Sequence, residues 1–436
     1  MGRRFGARRV AAFVAALALL VPFGAPPAAG VEPTESGIVC TSGDANPTFH
    51  LVAGAGNIGT PDGNTIRMWS YAADPGAFQF PGPTLCVVED AVVTVVLRNE
   101  LDEPVSIVFP GQAGVLAGTG DPDVTPPTDP VAPQFDGGNL VSLVQSAAPG
   151  ATVNYRFVAS SPGTYLYESG TNPAKQVQMG LYGGLVVRPA GQPSQAYAEA
   201  DTAFNPSTEY LLLMSEVDPA LHQAVERGLP YDPSTYHPRY WMLNGRSFPD
   251  TLAPNGSPLL PTQPYSSLIH MEPRTDANPL PALVRYVNVG TRSHPFHPHG
   301  NHGRIIARDG RLLRGPSTQD LSYEKFLVNI GGGQTWDALY DWRDTELWTP
   351  SHPIPVDLPQ PQDAAYKDDV TWYAGSPYLG YTDDLPVGVT SFNECGEYYH
   401  MWHSHALNEA ANYEAAGGGM MTLQRIDPPG GCPPAP

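Results

Sequence analysis

Short apolar runs of strand length, cut at close intervals by glycine, proline, asparagine or aspartate, constrain this chain more than any other feature. They are TLCVVEDAVVTVVLRN, VSIVF, ATVNYRFV, GTYLYE, GLYGGLVV, EYLLLMSEV, ALVRYVNVG, GRIIARDG, KFLVNI and GMMTLQRI. Runs of this length with turn residues at both ends form β-strands. With 45 glycines and 49 prolines in 436 residues, long helices have little room. The pattern predicts an all-β chain of antiparallel sandwiches rather than an α/β fold. One helix is expected, PALHQAVERG, stopped by its glycine. A short helical turn is expected after His405, through ALNEAANYEAA.

The runs fall into two similar units. The first spans 36–190 and closes with GLYGGLVVRP and a Pro/Gly/Ser linker, PAGQPSQ. The second spans 207–427 and carries a loop-rich insertion at 343–390, rich in Pro, Asp and Tyr. Ahead of both, residues 1–30 read as a signal peptide: Arg3, Arg4, Arg8 and Arg9, the apolar run VAAFVAALALLVPF, then small residues ending near Ala29 and Gly30. That layout predicts a secreted or periplasmic protein without membrane insertion, since no later stretch approaches the length of a membrane span. The chain carries a net charge of −20, or −24 without the four leader arginines. Such an acidic surface argues against nucleic acid and anionic membranes as partners. In an exported protein four cysteines, Cys40, Cys86, Cys395 and Cys432, suggest two disulfides. Cys40 with Cys86 and Cys395 with Cys432 is the local pairing, and a bridge from Cys432 back to the first unit is the alternative.

Seven of the twelve histidines stand in two short windows, HPFHPHGNH and HMWHSH. These are His294, His297, His299 and His302, then His400, His403 and His405. On a strand, residues two apart point the same way, so His297 and His299 share a face, as do His403 and His405. Pairing the two strands brings four imidazoles together. That donor set suits copper, zinc, iron or nickel rather than calcium or magnesium. His294, His302 and His400 are additional candidates.

With these motifs in view the sequence resembles the multicopper oxidase family. PGPTLCVVEDAVVTVVLRN, GTYLYESG with GLYGGLVV, LNGRSFPDT, VRYVNVGTRSHPFHPHG and WHSHALNEAANYEAAGGGMM resemble successive segments of that family, in order across nearly the whole chain beyond the leader. HPFHPHG is the most specific, matching an HxxHxH ligand motif. The resemblance implies two cupredoxin-like Greek-key sandwiches of the two-domain, laccase-like type, whose members often form homotrimers. It implies a type 1 copper that takes electrons from substrate and a trinuclear copper cluster that reduces dioxygen. It assigns His294 to type 1, His297 to type 2, and His299, His403 and His405 to type 3.

The sequence departs from the family at specific positions. The first-unit HxHG motif reads VFPG here, which puts Val108 and Pro110 where two imidazoles belong. The next motif, HSH, reads ESG, leaving Glu168 and Gly170. Ser404 replaces the type 1 cysteine, and a hydroxyl does not supply the thiolate a blue site needs. The later type 1 histidine falls on Glu409, and a methionine follows at Met420 or Met421 after an insertion. What remains is one face of four histidines, with Glu168 as a candidate fifth ligand, suited to copper, with zinc as competitor. Three readings stay open. One is a secreted copper-binding protein with a residual site and at most atypical oxidoreductase activity. Another is a complete oxidase that takes ligands from another subunit. The third is a metal-free binding or structural protein on the same scaffold. The sequence specifies no substrate.

Overall fold

The computed structural model describes residues 34–343, 397–428 and 430–432. The leader and nearly all of the 343–390 insertion lie outside the described residues, as does Cys395. The fold is all-β, as the punctuated runs predict.

The first sandwich packs a six-stranded sheet on a three-stranded one. The six run in the order Thr65–Ala73, Thr48–Gly59, Val92–Asn99, Thr152–Val158, Leu116–Gly118, Asp129–Pro130. The three are Gly163–Glu168, Tyr182–Arg188 and Leu85–Val88. Val92–Asn99 alternates half-buried and buried residues without a break. Its inner face, Val93, Val95 and Leu97, meets Leu85, Tyr165, Tyr167 and Leu185 of the other sheet in one core. The Cys40–Cys86 disulfide ties the incoming chain to Leu85–Val88.

In the second sandwich a seven-stranded sheet centred on Glu209–Val217 and Ala282–Asn288 faces a five-stranded sheet. The five-stranded order is Ile269–Met271, Met421–Ile426, Tyr398–Ser404, His294–Pro298, Val328–Ile330. Every residue of Glu209–Val217 is buried. Tyr210, Leu212 and Met214 fill the core of their own sandwich, while Leu211, Leu213 and Val217 pack on Ile66, Met68 and Leu166 of the first. A continuous apolar run is the expected pattern for a strand covered on both faces. Beside this apolar junction lies a polar one. Arg285 Nε donates to Glu209 at 2.7 Å, and its Nη1 donates to Thr164 Oγ1 of the first sandwich at 2.9 Å. Thr164 in turn donates to Asp337 at 2.5 Å.

Some elements differ from expectation. VSIVF forms only isolated bridges, Val105 to Ala147 and Val108 to Glu168. Tyrosine hydroxyls replace its ladder: Tyr71 donates to the Ser106 carbonyl, and the Ile107 amide donates to Tyr155. KFLVNI is divided between Tyr323–Lys325 and Val328–Ile330, which join different sheets, so the chain crosses the sandwich at Phe326. The expected helix is Pro219–Glu226, capped by the Asp218 carboxylate on the Ala220 amide. The segment after His405 makes only a 3₁₀ turn, Leu407–Glu409, before two very short strands. Two long strands, Thr48–Gly59 and Thr65–Ala73, and the short helix Pro173–Met179 were not expected.

Candidate metal centre

The site is built on one antiparallel pair of strands. His294–Pro298 lies beside Tyr398–Ser404 with His297 directly opposite His403. Alternation then sorts the side chains. Phe296 and Trp402 point inward and are fully buried, while His297, His299, His403 and His405 share the outer face. The ring centroids of His297 lie 4.6 Å from His299, 5.7 Å from His403 and 5.5 Å from His405. His403 stands 5.1 Å from His299 and 5.9 Å from His405.

Hydrogen bonds fix the tautomers. A backbone carbonyl only accepts, so His297 Nδ1–H donates to the Phe326 carbonyl at 2.7 Å. His403 Nδ1–H donates to the Ser404 carbonyl at 2.8 Å. Both rings therefore carry their lone pair on Nε2, as metal-ligating histidines with carbonyl partners do. His299 Nε2 approaches His403 Nε2 at 3.1 Å, so His299 donates and His403 accepts. Burial, reinforced by the other three imidazoles, pushes the His403 pKa down to about 4, which keeps it neutral at ordinary pH. Neutral imidazole is the form that ligates metal. Among the described residues no three or more His, Cys, Asp or Glu side chains stand in an arrangement that could hold a metal ion as they are placed. The four rings converge, but two of them are held by a hydrogen bond to each other.

The inner face of the same strand pair holds a different cluster. His294 is fully buried. Its Nδ1 meets Glu409 Oε2 at 2.8 Å and its Nε2 meets Glu216 Oε2 at 3.3 Å. Ser404 donates its hydroxyl to the same Glu409 oxygen. Burial opposes the charge on His294, but the bonds to Glu216 and Glu409 outweigh it and hold the pKa up at about 9. The ring is an imidazolium between two carboxylates, and Met420 lies buried nearby with its amide bonded to the Glu409 carbonyl. Sequence reasoning missed Glu216. Its only signal is a carboxylate set in the apolar run EYLLLMSEV.

The other candidates are dispersed. His302 packs its ring on Phe326 at 5.9 Å, the ring that also touches His297. His400 is buried on the inner side against Trp342, 5.0 Å between centroids. Glu168 sits in the first sandwich, bridged to Val108, and burial alone pushes its pKa up to about 6. Gly170 lies under the Val108 side chain: a Cβ there would come within 2.7 Å of Val108 Cγ1. Pro110 follows the same segment, outside any sheet. No described cysteine is free.

The fold and this outer face define a cupredoxin-like protein of two sandwiches with a histidine-bearing second sandwich. Residues 76–192, within the first sandwich and the linker that follows it, match the family model described as multicopper oxidase. Two solved structures align along most of their length. The blue copper oxidase from Nitrosomonas europaea aligns over 87% of this chain and 85% of its own, at 19% identity and a TM-score of 0.54. The multicopper oxidase mgLAC aligns over 89% and 87%, at 16% identity and a TM-score of 0.56. At these identities the likeness is one of fold. No curated protein matches by sequence.

The copper groups of that family fit this chain unequally. The blue site does not fit, because Ser404 and Glu409 close on His294 as an ion-pair cluster without thiolate. The full trinuclear cluster does not fit, because the space above Gly170 is taken by Val108. The outer face offers imidazole nitrogens alone, a donor chemistry that suits copper, with His297 and His403 braced by backbone carbonyls.

Proposed function

We propose that this is a secreted copper-binding protein on a multicopper oxidase scaffold, with one residual metal site at His297, His299, His403 and His405. Its oxidoreductase activity is at most atypical. The observation that carries this reading is the register of His297 against His403, which gathers four imidazoles on one face. Copper bound there supplies a Lewis-acidic, redox-capable ion. The residues themselves hold it, with the Phe326 and Ser404 carbonyls fixing the ligating tautomers. Binding requires His299 to release His403, by losing its Nε2 proton or moving it to Nδ1.

The test is metal analysis with spin resonance on the leaderless chain. About one copper per chain is expected, with a non-blue paramagnetic signal that His297→Ala with His403→Ala abolishes. An intense blue colour overturns the reading of Ser404. Preferential retention of zinc from an equimolar mixture overturns the choice of copper.

The position of the four rings on the outside of their sheet favours a second reading, in which a neighbouring copy in a homotrimer covers the face and completes an oxidase. Three or four coppers per chain, oxygen uptake and a trimer in sedimentation are its signature. The direct His299–His403 hydrogen bond favours a third, a metal-free scaffold. Loss of all metal on dialysis is the outcome that selects it.

A further inference from the structure

A second, chemically different recess opens on the same sandwich, about 390 Å³ in volume, between Tyr240–Leu243 and the 407–416 loop. In a chain of net charge −20 its lining is conspicuous, with two guanidinium groups, Arg239 and Arg292, against one carboxylate, Glu414. Glu414 is spent on Arg239, at 2.7 Å, and is itself 81% exposed. Arg239 lies flat over the Tyr413 ring, 3.9 Å from its centroid. Arg292 makes no ion pair among the described residues. Its guanidinium stands 5.9 Å from the Trp241 ring. The backbone beneath it is pinned, because the amides of Thr291 and Arg292 both donate to Glu216. The remaining wall includes the polar His237 and Asn408 beside Trp241, Tyr413 and Leu407. Tyr413 and Leu407 are 49% and 71% exposed.

We propose that this recess binds a small aromatic carboxylate. Arg292 is the charge partner, since guanidinium takes a carboxylate through two parallel hydrogen bonds. The aromatic ring of the ligand lies against the exposed Tyr413 and Leu407 side chains, with the buried Trp241 ring beneath the Arg292 guanidinium. The volume suits a one-ring ligand, and the pinned backbone fixes where the Arg292 side chain leaves the fold. An organic cation is repelled by the same pair of arginines. The assignment is independent of copper, because none of these side chains belongs to the four-histidine face.

The test uses the metal-free, leaderless chain with benzoate as probe, followed by calorimetry and tryptophan fluorescence. Benzoate is expected to bind at one site per chain, with benzamide at least about tenfold weaker because it lacks the charge. Arg292→Gln, an exposed substitution, is expected to weaken benzoate about tenfold or more and leave benzamide unchanged. Trp241→Phe is expected to remove the fluorescence response while the calorimetric signal persists. His297→Ala with His403→Ala is expected to bind benzoate like the parent, so failure of the copper reading and failure of this one are separately visible. Equal affinity for benzoate and benzamide overturns the proposal, as does unchanged benzoate binding in Arg292→Gln or the absence of saturation.

Discussion

His403 and Ser404 are chain neighbours in opposite environments. Strand alternation sends His403 to a face of imidazoles and Ser404 to a pocket of buried charge. At the residue scale the second is the better-determined object. His294 is held charged by Glu216 and Glu409, and its pKa of about 9 lies above the value of about 6.5 for an unfolded histidine. A group whose pKa rises on folding stabilises the fold fully below its unfolded pKa and loses that contribution as pH rises through the folded value. Glu216 shifts downward, so its own contribution fades only in acid. The stability difference between the parent and His294→Gln is therefore expected to be on the order of 2 kcal/mol near pH 6 and to shrink as pH rises through about 9. Urea denaturation at stepped pH measures it, and a difference that stays level or grows toward alkaline pH refutes the imidazolium.

At the scale of elements, most strands were legible because their apolar faces alternate or run unbroken. Those that were missed have a physical excuse. Thr48–Gly59 reads AGAGNIG over most of its second half, where glycine and alanine carry no pattern. The helix Pro173–Met179 had its signals, a proline at the first turn and Gly180 with φ 116 at its end, but it is too short for periodicity to show. The histidine face was legible because two-residue spacing survives any strand pairing, whereas the register that sets His297 against His403 was not. Glu216 stayed hidden because its partners Thr291, Arg292 and His294 lie 75, 76 and 78 residues downstream in the sequence. The Val108 bridge carries a prediction at this scale. Gly170→Ala places a methyl against Val108 Cγ1 and is expected to cost about 1–3 kcal/mol, with most of that recovered in Gly170→Ala, Val108→Ala. Copper uptake should be the same in all three proteins. Additive losses in the double variant remove the steric account, and with it the reason an imidazole is excluded at 170.

At the scale of the whole molecule, the two sandwiches are joined by an apolar patch and by buried polar contacts, and the charged knot around Arg285 is the most brittle of these. Arg285 is fully buried between Glu209 and Asp337, and Tyr197 also donates to Asp337 at 2.5 Å. Thr335 donates to the Thr164 carbonyl at 2.7 Å, so the same few residues bond side chains and backbone across the junction. A buried ion cluster of this kind adds little relative to an apolar core, but removing one member leaves its partners charged and dry. Arg285→Met is accordingly expected to destabilise the protein by about 3–5 kcal/mol, and Arg285→Met with Asp337→Asn to recover part of that loss. Because the knot spans both sandwiches while each keeps its own core, the damage should be local. Hydrogen exchange should accelerate first at Gly163–Glu168 and Thr335–Tyr340, with Val93, Val95 and Leu97 protected as before. Uniform acceleration through both cores is the result that makes the two sandwiches a single cooperative unit and refutes a separable junction.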